Sequence, residues 1–179
     1  MLKNNLENIG VLGGSFDPPH KGHLYASTYS IKTLKLKKVI WAITKRNPLK
    51  KNPFFSFDIR KKLCRKIIKG HKKIQLKHYE NKLRSTKLIS LIKFLKKRNK
   101  YKIFFIIGSE NLINFHKWKN YKELLKLCNL VVFSRKGFDT KAKKSVIIKH
   151  LKSKNIKFLK NAQIDVSSTQ LRNKIINGS

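Results

Sequence analysis

The chain has 179 residues and a formal net charge of +36 at pH 7, from 44 Lys and Arg against 8 Asp and Glu. This length predicts a single domain over residues 1–179 and leaves little room for a second core. No run approaches the roughly 18 uncharged apolar residues of a membrane span, and the first residues lack an apolar signal core, so we expect a cytosolic protein without a membrane partner. Cys64 and Cys128 form no CxxC metal motif, and we expect two buried thiols.

The positive charge is the first feature that bears on function, because it suggests nucleic acid or an anionic surface as a partner. The cations are 37 Lys and 7 Arg, however, and lysine recurs along the whole chain. This skew is typical of A- and T-rich codons, whereas a nucleic-acid surface more often uses Arg and clusters its charge on one face. We therefore expect salt-sensitive adhesion to polyanions but no specific nucleic-acid partner. The sequence gives no indication of oligomeric state.

Apolar runs alternate with helical patterns from one end of the chain to the other. We predict six strands, at residues 9–12, 38–43, 73–76, 102–107, 130–133 and 156–158. We predict six helices, at residues 20–35, 56–69, 85–98, 121–127, 141–152 and 168–177. The alternation predicts an α/β fold with a parallel sheet and helices on both faces, whose ligands bind beyond the carboxyl ends of the strands.

The loop after the first predicted strand contains the densest group of chemically useful residues. Residues 13–24 read GGSFDPPHKGHL, and they lead directly into a predicted helix. The two glycines let the backbone approach a ligand, and the helix N-terminus offers free N–H groups to an anion. His20 and His23 are three residues apart, so they share the first helical turn and can both donate to phosphate oxygens, while Gly22 leaves room for the ligand. The alternative is a solvated histidine pair or an incidental metal site.

A second group of polar residues lies near the end of the chain, where residues 165–172 read DVSSTQLR. Ser167, Ser168 and Thr169 supply a helix N-cap and further hydrogen-bond donors. Arg172 falls over the same turn and can pair with phosphate oxygens. The segment is suited to a polyphosphate tail, although a plain Ser/Thr cap beside a surface arginine would look the same.

The two segments together resemble a known family. The first contains HxGH and the second SSTxxR, the two signatures of the nucleotidyltransferase superfamily, and GGSFDPPHKGHL is most similar to its nicotinate-nucleotide adenylyltransferases. Residues 41–50 resemble the segment that lines the family's active site after its second strand, and residues 107–121 resemble its G-A/S-D-N-L motif and tryptophan-rich segment. Residues 132–137 resemble the strand and R-x-G turn that follow. Pantetheine-phosphate adenylyltransferases and cytidylyltransferases generally lack the tryptophan segment. The resemblance covers nearly the whole chain and implies a Rossmann-like fold of the nucleotidyltransferase type.

The resemblance also implies an activity: adenylyl transfer from ATP to nicotinate mononucleotide, giving deamido-NAD and pyrophosphate in NAD biosynthesis. It assigns catalytic roles to His20, His23 and Arg172. The implied ATP site comprises Gly13, Gly14, Ser15, Phe16, His20, His23, Gly108, Glu110, Ser167, Ser168, Thr169 and Arg172. The implied acceptor site comprises Ser15, Phe16, Arg46, Thr86 and Trp118, with Trp118 stacking on the pyridine ring. Mg²⁺ would be carried by the ATP phosphates, with no protein metal ligand.

The chain departs from the family pattern at two places. Glu110 stands where the family has Asp, so the charge is kept but the reach is longer, which predicts an altered affinity for ATP. Residues 85–91 read STKLISL in place of the family's SYTxDTL. Preference for nicotinate over nicotinamide then depends on donors near the ring, because a carboxylate only accepts hydrogen bonds whereas an amide also donates. Thr86 and nearby backbone amides are the candidates.

Two other functions are compatible with the sequence. The same fold could serve another acceptor, such as nicotinamide mononucleotide or phosphopantetheine. The chain could also be a basic, catalytically inactive RNA-binding relative, for which the net charge is the direct support and the intact HxGH and SSTxxR signatures are the argument against.

Overall fold

The computed structural model describes residues 6–46, 52–98, 101–150, 155–159 and 166–177. Six parallel strands form one sheet in the order β3-β2-β1-β4-β5-β6, and all six agree with the sequence prediction. The strands are β1 (Glu7–Gly14), β2 (Lys38–Ile43), β3 (Ile74–Lys77), β4 (Tyr101–Gly108), β5 (Asn129–Phe133) and β6 (Ile156–Leu159). The predicted Rossmann-like α/β architecture is confirmed.

Nine α-helices and one 3₁₀ turn are present within the described ranges. They are α1 (Lys21–Thr33), α2 (Phe57–Ile67), α3 (Glu80–Leu83), α4 (Leu88–Arg98), α5 (Ser109–Ile113), the 3₁₀ turn (Phe115–Lys117), α6 (Tyr121–Leu127), α7 (Asp139–Lys143), α8 (Val146–His150) and α9 (Ser168–Ile176). The helix predicted over 141–152 is instead two short helices with a turn at Lys144 and Ser145, and residues 151–152 lie outside the described part of the chain. The 3₁₀ turn, α3 and α5 were not predicted. None of the described helices is long and apolar enough to cross a membrane.

The sheet is buried on both faces, as the doubly apolar strands predict. Successive side chains of β4 alternate between two hydrophobic clusters. Ile103, Phe105 and Ile107 belong to one, and Phe104 and Ile106 belong to the other. Each cluster is completed by helices, so the central strands are held rigidly from both sides.

The topology defines where a ligand can bind. From β1 the chain builds the sheet outward through β2 and β3, and it then returns to add β4, β5 and β6 on the other side. The strand order therefore reverses between β1 and β4, and a crevice opens there at their carboxyl ends. Gly14 ends β1 and Gly108 ends β4, so the glycine-rich loop and the residues after Gly108 meet at this crevice.

The two cysteines are buried free thiols, as predicted. Burial raises the pKa of Cys64 and of Cys128 to about 12. Both are therefore unreactive at neutral pH.

Candidate active site

The glycine-rich loop leaves β1 in a conformation that buries one of its side chains. Phe16 has a φ of 48°, in the left-handed region, and its ring is only 2% exposed. The ring stacks on Trp41 with centroids 4.8 Å apart and an interplanar angle of 12°. The loop can therefore present its backbone to a nucleotide at Phe16, but the Phe16 side chain belongs to the core.

The two signature histidines are arranged by the start of α1. His20 is the N-cap, and its backbone N–H donates to Nδ1 of His23 over 3.2 Å. The two imidazole centroids lie 3.8 Å apart, and His23 also packs on Phe16 at 5.0 Å. Because Nδ1 of His23 accepts this backbone N–H, the ring proton of His23 lies on Nε2.

His20 is buried in a way that fixes its charge. Burial, followed by the positive charge of Arg135, lowers the pKa of His20 from 6.5 to about 4. The imidazole is therefore neutral at pH 7 and acts as a hydrogen-bonding group rather than a cation. Its Nδ1 is buried beside Gly22 and has no hydrogen-bond partner among the described residues.

This buried imidazole predicts a pH dependence of stability. As the pH falls from 6.5 toward 4, the unfolded chain protonates His20 while the folded chain does not, so the free energy of unfolding decreases in this window by up to about 3 kcal/mol. Urea unfolding at pH 7.5 and pH 5 measures the change. His20→Ala should lose this part of the slope, whereas His71→Ala, at an exposed position, should keep it. An equal slope for His20→Ala and the wild type would contradict the prediction.

The serine-rich segment meets the histidine loop across 150 residues of sequence. Ser168 Oγ donates to the Pro18 carbonyl over 2.8 Å. Arg172 Nη1 donates to the Asp17 carbonyl over 2.5 Å, and its Nη2 donates to Thr169 Oγ1 over 3.0 Å. Ser167 caps α9 by accepting the Gln170 N–H, as a helix-start motif requires. The two signatures therefore share one rim of the crevice, while Asp165 lies outside the described residues.

Asp17 and Arg60 organise this rim, and sequence reasoning missed both. The Asp17 carboxylate accepts the backbone N–H groups of Phe54 (2.8 Å) and Phe55 (2.9 Å). Arg60 of α2 is 1% exposed and donates to backbone carbonyls on three segments around the loop. The available signal was the position of Arg60 one turn before Cys64, on the apolar face of its helix.

Glu110 lies in the first turn of α5, directly after the carboxyl end of β4. Its Oε1 accepts from Arg135 Nη1 (2.7 Å) and from Asn111 Nδ2 (2.9 Å). The side chain folds back over Gly108, so a Cβ added to this glycine would collide with Glu110 Oε2. The longer side chain thus reaches Arg135, a residue that the sequence did not assign to the site. Arg135 in turn connects β5 to the α9 entry through a long contact with the Val166 carbonyl (3.5 Å).

A cavity of about 450 Å³ adjoins the loop on the side of β2 and α4. Thr86 and Trp118, two of the residues expected at the acceptor, both line it, and Gly13 and Gly14 complete the wall next to the loop. Trp118 is braced by Phe115, at 5.0 Å between ring centroids. The other residues expected at the acceptor, namely Ser15, Phe16 and Arg46, are described but lie outside this lining. Part of the family-like segment 41–50, at residues 47–50, lies outside the described chain.

The carboxylate on the cavity wall is fully engaged. Glu80 accepts from Thr44 Oγ1, from the Lys45 N–H at 3.0 Å and from His78 Nε2 at 3.2 Å. The remaining walls are largely apolar, with Leu83, Leu88 and Leu91 among them. The one carboxylate among the lining residues is therefore already hydrogen-bonded within the protein. A largely apolar cavity of this kind can bind the flat ring of a ligand that also carries an anionic group.

No group of three or more His, Cys, Asp or Glu side chains in the described ranges could hold a metal ion. The nearest carboxylate in the loop, Asp17, already accepts a backbone N–H at each oxygen. The donor set of the rim is composed of imidazole, hydroxyl, guanidinium and backbone N–H groups, which bind oxyanions rather than cations.

This combination of fold and site defines a nucleotidyltransferase. The family model described as "Cytidylyltransferase-like" matches residues 11–174, which include both signature segments. Among solved structures, the nicotinic acid mononucleotide adenylyltransferase of Plasmodium falciparum complexed with NaAD shares the fold, with a TM-score of 0.76 and 21% identity over 96% of this chain and 88% of that one. The same protein complexed with APC gives a TM-score of 0.75 over 93% of this chain and 83% of that one.

Curated relatives show which family of nucleotidyltransferases this is. A "Probable nicotinate-nucleotide adenylyltransferase" of Pelagibacter ubique is 45% identical over 95% of this chain and 97% of its own length. A protein of the same name from Fusobacterium nucleatum is 36% identical over 94% of this chain and 88% of its own length. The chain therefore belongs to the nicotinate-nucleotide adenylyltransferase family.

Proposed function

We propose that the chain transfers the adenylyl group of ATP to nicotinate mononucleotide, giving deamido-NAD and pyrophosphate as a step of NAD biosynthesis. The observation that carries the proposal is the shared rim, where Arg172 and Ser168 bond to the loop that holds His20 and His23. This rim adjoins the apolar cavity that contains Trp118. One anion-binding edge beside one ring-binding cavity matches a reaction that joins two nucleotides.

This reaction requires the protein mainly to position the two substrates and to neutralise negative charge on the phosphate oxygens. The 5′-phosphate oxygen of the acceptor forms a bond to the α-phosphorus of ATP as the bond to the bridging oxygen breaks, and pyrophosphate leaves. Negative charge grows on the bridging and leaving oxygens, so prearranged donors lower the barrier. The neutral His20 can supply one such donor and His23 a second, and Arg172 adds a positive charge on the triphosphate side. No proton has to be removed from the attacking phosphate by the protein.

We propose that Mg²⁺ enters as part of the Mg–ATP substrate. The rim offers oxyanion-binding donors, and the hard oxygen ligands that Mg²⁺ prefers are those of the phosphates. In this arrangement Ser167, Thr169 and the loop glycines would hold the nucleotide, while Glu110 would lie at the ribose side. The engagement of Glu110 with Arg135 supports the expected change in ATP affinity relative to an Asp at this position.

The acceptor half is supported by the cavity. We propose that Trp118 packs on the pyridine ring and that Thr86, with backbone N–H groups near it, meets the nicotinate carboxylate. Lys87, Lys117 and Lys119 also line the cavity and give it a positive field that favours an acceptor bearing two anionic groups.

A single sheet that takes its strands from Glu7 to Leu159 supports one domain over residues 1–179. The two free buried thiols fit the proposed cytosolic location.

The test is an acceptor panel. Pyrophosphate release from Mg–ATP should be fastest with nicotinate mononucleotide, and slower with nicotinamide mononucleotide and with phosphopantetheine. A rate no higher with nicotinate mononucleotide than with either alternative would refute the assignment of the acceptor. Binding that follows RNA structure at physiological salt, without turnover of ATP, would favour the RNA-binding alternative.

Gly22→Ala should lower kcat about 10-fold or more, because small misplacements of a catalytic group are costly. A Cβ at Gly22 would lie 2.9 Å from Nδ1 of His20, so the space at Gly22 accommodates the imidazole and its filling would displace the ring. Steady-state kinetics on Gly22→Ala measure the effect. Lys21→Ala, exposed in the same helical turn, is the control and should retain the wild-type rate. Wild-type kcat in Gly22→Ala would contradict this role.

A further inference from the structure

Arg60 is a buried cation that lies over the Phe57 ring, and within the described ranges all its hydrogen-bond acceptors are backbone carbonyls. Its Nε donates to Phe55 O (3.1 Å), its Nη1 to Ser15 O (2.5 Å) and to Thr44 O (2.9 Å), and its Nη2 to Lys45 O (2.8 Å). It makes no ion pair with any carboxylate of the described residues. Four of the five N–H groups of Arg60 therefore donate to backbone carbonyls and hold these chain segments in place.

These carbonyls belong to the two halves of the proposed active site. Ser15 lies in the glycine-rich loop on the ATP side, and Thr44 lies on the wall of the acceptor cavity. The β1–β2 ladder ends where the Thr44 N–H donates to Gly14 O over 3.1 Å. Next to that point the Nη1 atom of Arg60 bridges the two segments directly, through Ser15 O and Thr44 O. The guanidinium thus continues the link between donor loop and acceptor wall after the sheet has stopped.

The link continues through Phe55 to the rest of the rim. The segment that gives its Phe55 carbonyl to Arg60 also gives its Phe54 and Phe55 N–H groups to Asp17. The Asp17 carbonyl accepts from Arg172. A chain of direct hydrogen bonds therefore runs from α9, on the proposed triphosphate side, to the wall of the cavity proposed for the acceptor.

We propose that Arg60 is a positioning residue that sets the separation between the ATP site and the acceptor cavity, an inference that rests on the proposed function. Both substrates must be held with the attacking oxygen in line with the α-phosphorus, and a shift of about 1 Å in this approach is enough to slow such a step strongly. A planar guanidinium with a fixed fork can serve acceptors on three segments at once, whereas an ammonium group acts as a single point donor.

The test is Arg60→Lys, assayed in single turnover with both substrates saturating. The rate of the ternary complex should fall about 10- to 100-fold, as expected for misplaced reactants. The Kd of nicotinate mononucleotide and of α,β-methylene-ATP, each measured alone, should change by less than about 3-fold, because each half-site keeps its own contacts. Arg65→Lys, on the exposed face of the same helix, should leave all three quantities unchanged.

A merely structural role predicts a different result. It would lower Tm and the folded fraction of Arg60→Lys, but the ternary complex that forms would react at the wild-type rate. Arg60→Gln is the second variant, since it keeps two N–H donors without the cost of a buried unpaired charge. If neither variant folds, ¹⁵N NMR of the wild-type arginines tests the premise of the proposal: the Arg60 guanidinium should show separate, slowly exchanging Nη protons, and averaged ones would overturn it.

The two proposals fail in distinguishable ways. An active wild type with an undiminished single-turnover rate in Arg60→Lys or Arg60→Gln refutes the positioning role and leaves the proposed function intact. A wild type that releases no pyrophosphate with nicotinate mononucleotide refutes the proposed function. The positioning role for that reaction then falls with it, whatever the NMR shows of the guanidinium.

Discussion

Replacing His20 with alanine should lower kcat about 100-fold or more, the usual loss on removing one donor to transition-state charge. The backbone N–H of His20 that caps α1 through His23 Nδ1 is retained in this variant. The start of the helix should therefore persist, and the loss can be assigned to the imidazole. Because His20 is neutral at pH 7, the effect reflects a lost hydrogen bond rather than a lost charge. Steady-state kinetics over a range of ATP concentrations measure it.

The control is His71→Ala, which removes an exposed imidazole distant in sequence from both signatures and should keep the wild-type kcat. His20→Asn is an informative second variant, since its amide restores a donor near the same place, and its rate should fall between those of His20→Ala and the wild type. A kcat for His20→Ala within about 3-fold of the wild type would be too small for a transition-state donor and would remove His20 from the mechanism.

The sheet was predictable because its strands carry their own signal. Phe104 and Phe105 sit in a run that is apolar at every position, which is typical of a parallel strand covered on both faces. The short helices were not predictable in this way. Helix α5 has five residues, fewer than two turns, so a 3.6-residue period cannot be recognised in it. Such helices form because they are packed in place, as α5 is by the burial of Ser109 and Leu112.

The residues of the candidate site also fall into those that the sequence indicates and those that it does not. His20, His23 and Arg172 could be singled out as candidates because their motifs concentrate anion-binding groups within a few residues of one another. Arg60 could not be, because its hydrogen-bond partners are carbonyls that lie up to 45 residues away and leave no trace in residue type.

Phe16 shows a similar limit on what sequence reveals. Its backbone is expected to meet both substrates, and the sequence did not reveal that its left-handed φ turns the ring into the core against Trp41. Short-range chemistry can be read from the sequence, whereas the direction of a side chain after a tight turn depends on the whole fold.

Arg172→Ala should reduce kcat/KM for ATP about 10- to 100-fold, the range expected for losing hydrogen bonds from a charged group. In the structure this guanidinium bonds to the Asp17 carbonyl and to Thr169 and so ties α9 to the histidine loop, at the edge where we propose that the triphosphate binds. The KM for nicotinate mononucleotide should change much less, because Trp118 and the cavity lie on the other side of the loop. Kinetics with each substrate varied in turn separate the two effects.

Arg172→Lys provides the sharper measurement. The lysine keeps the charge but cannot serve Asp17 and Thr169 with two fixed donors at once, so it should recover only part of the lost kcat/KM. Lys174→Ala, exposed on the same helix, removes a positive charge without touching the rim and should be nearly neutral. If Lys174→Ala were as impaired as Arg172→Ala, the long-range field of a strongly basic chain would account for ATP binding. If Arg172→Lys were fully active, charge alone at this position would suffice and the bidentate role would be wrong.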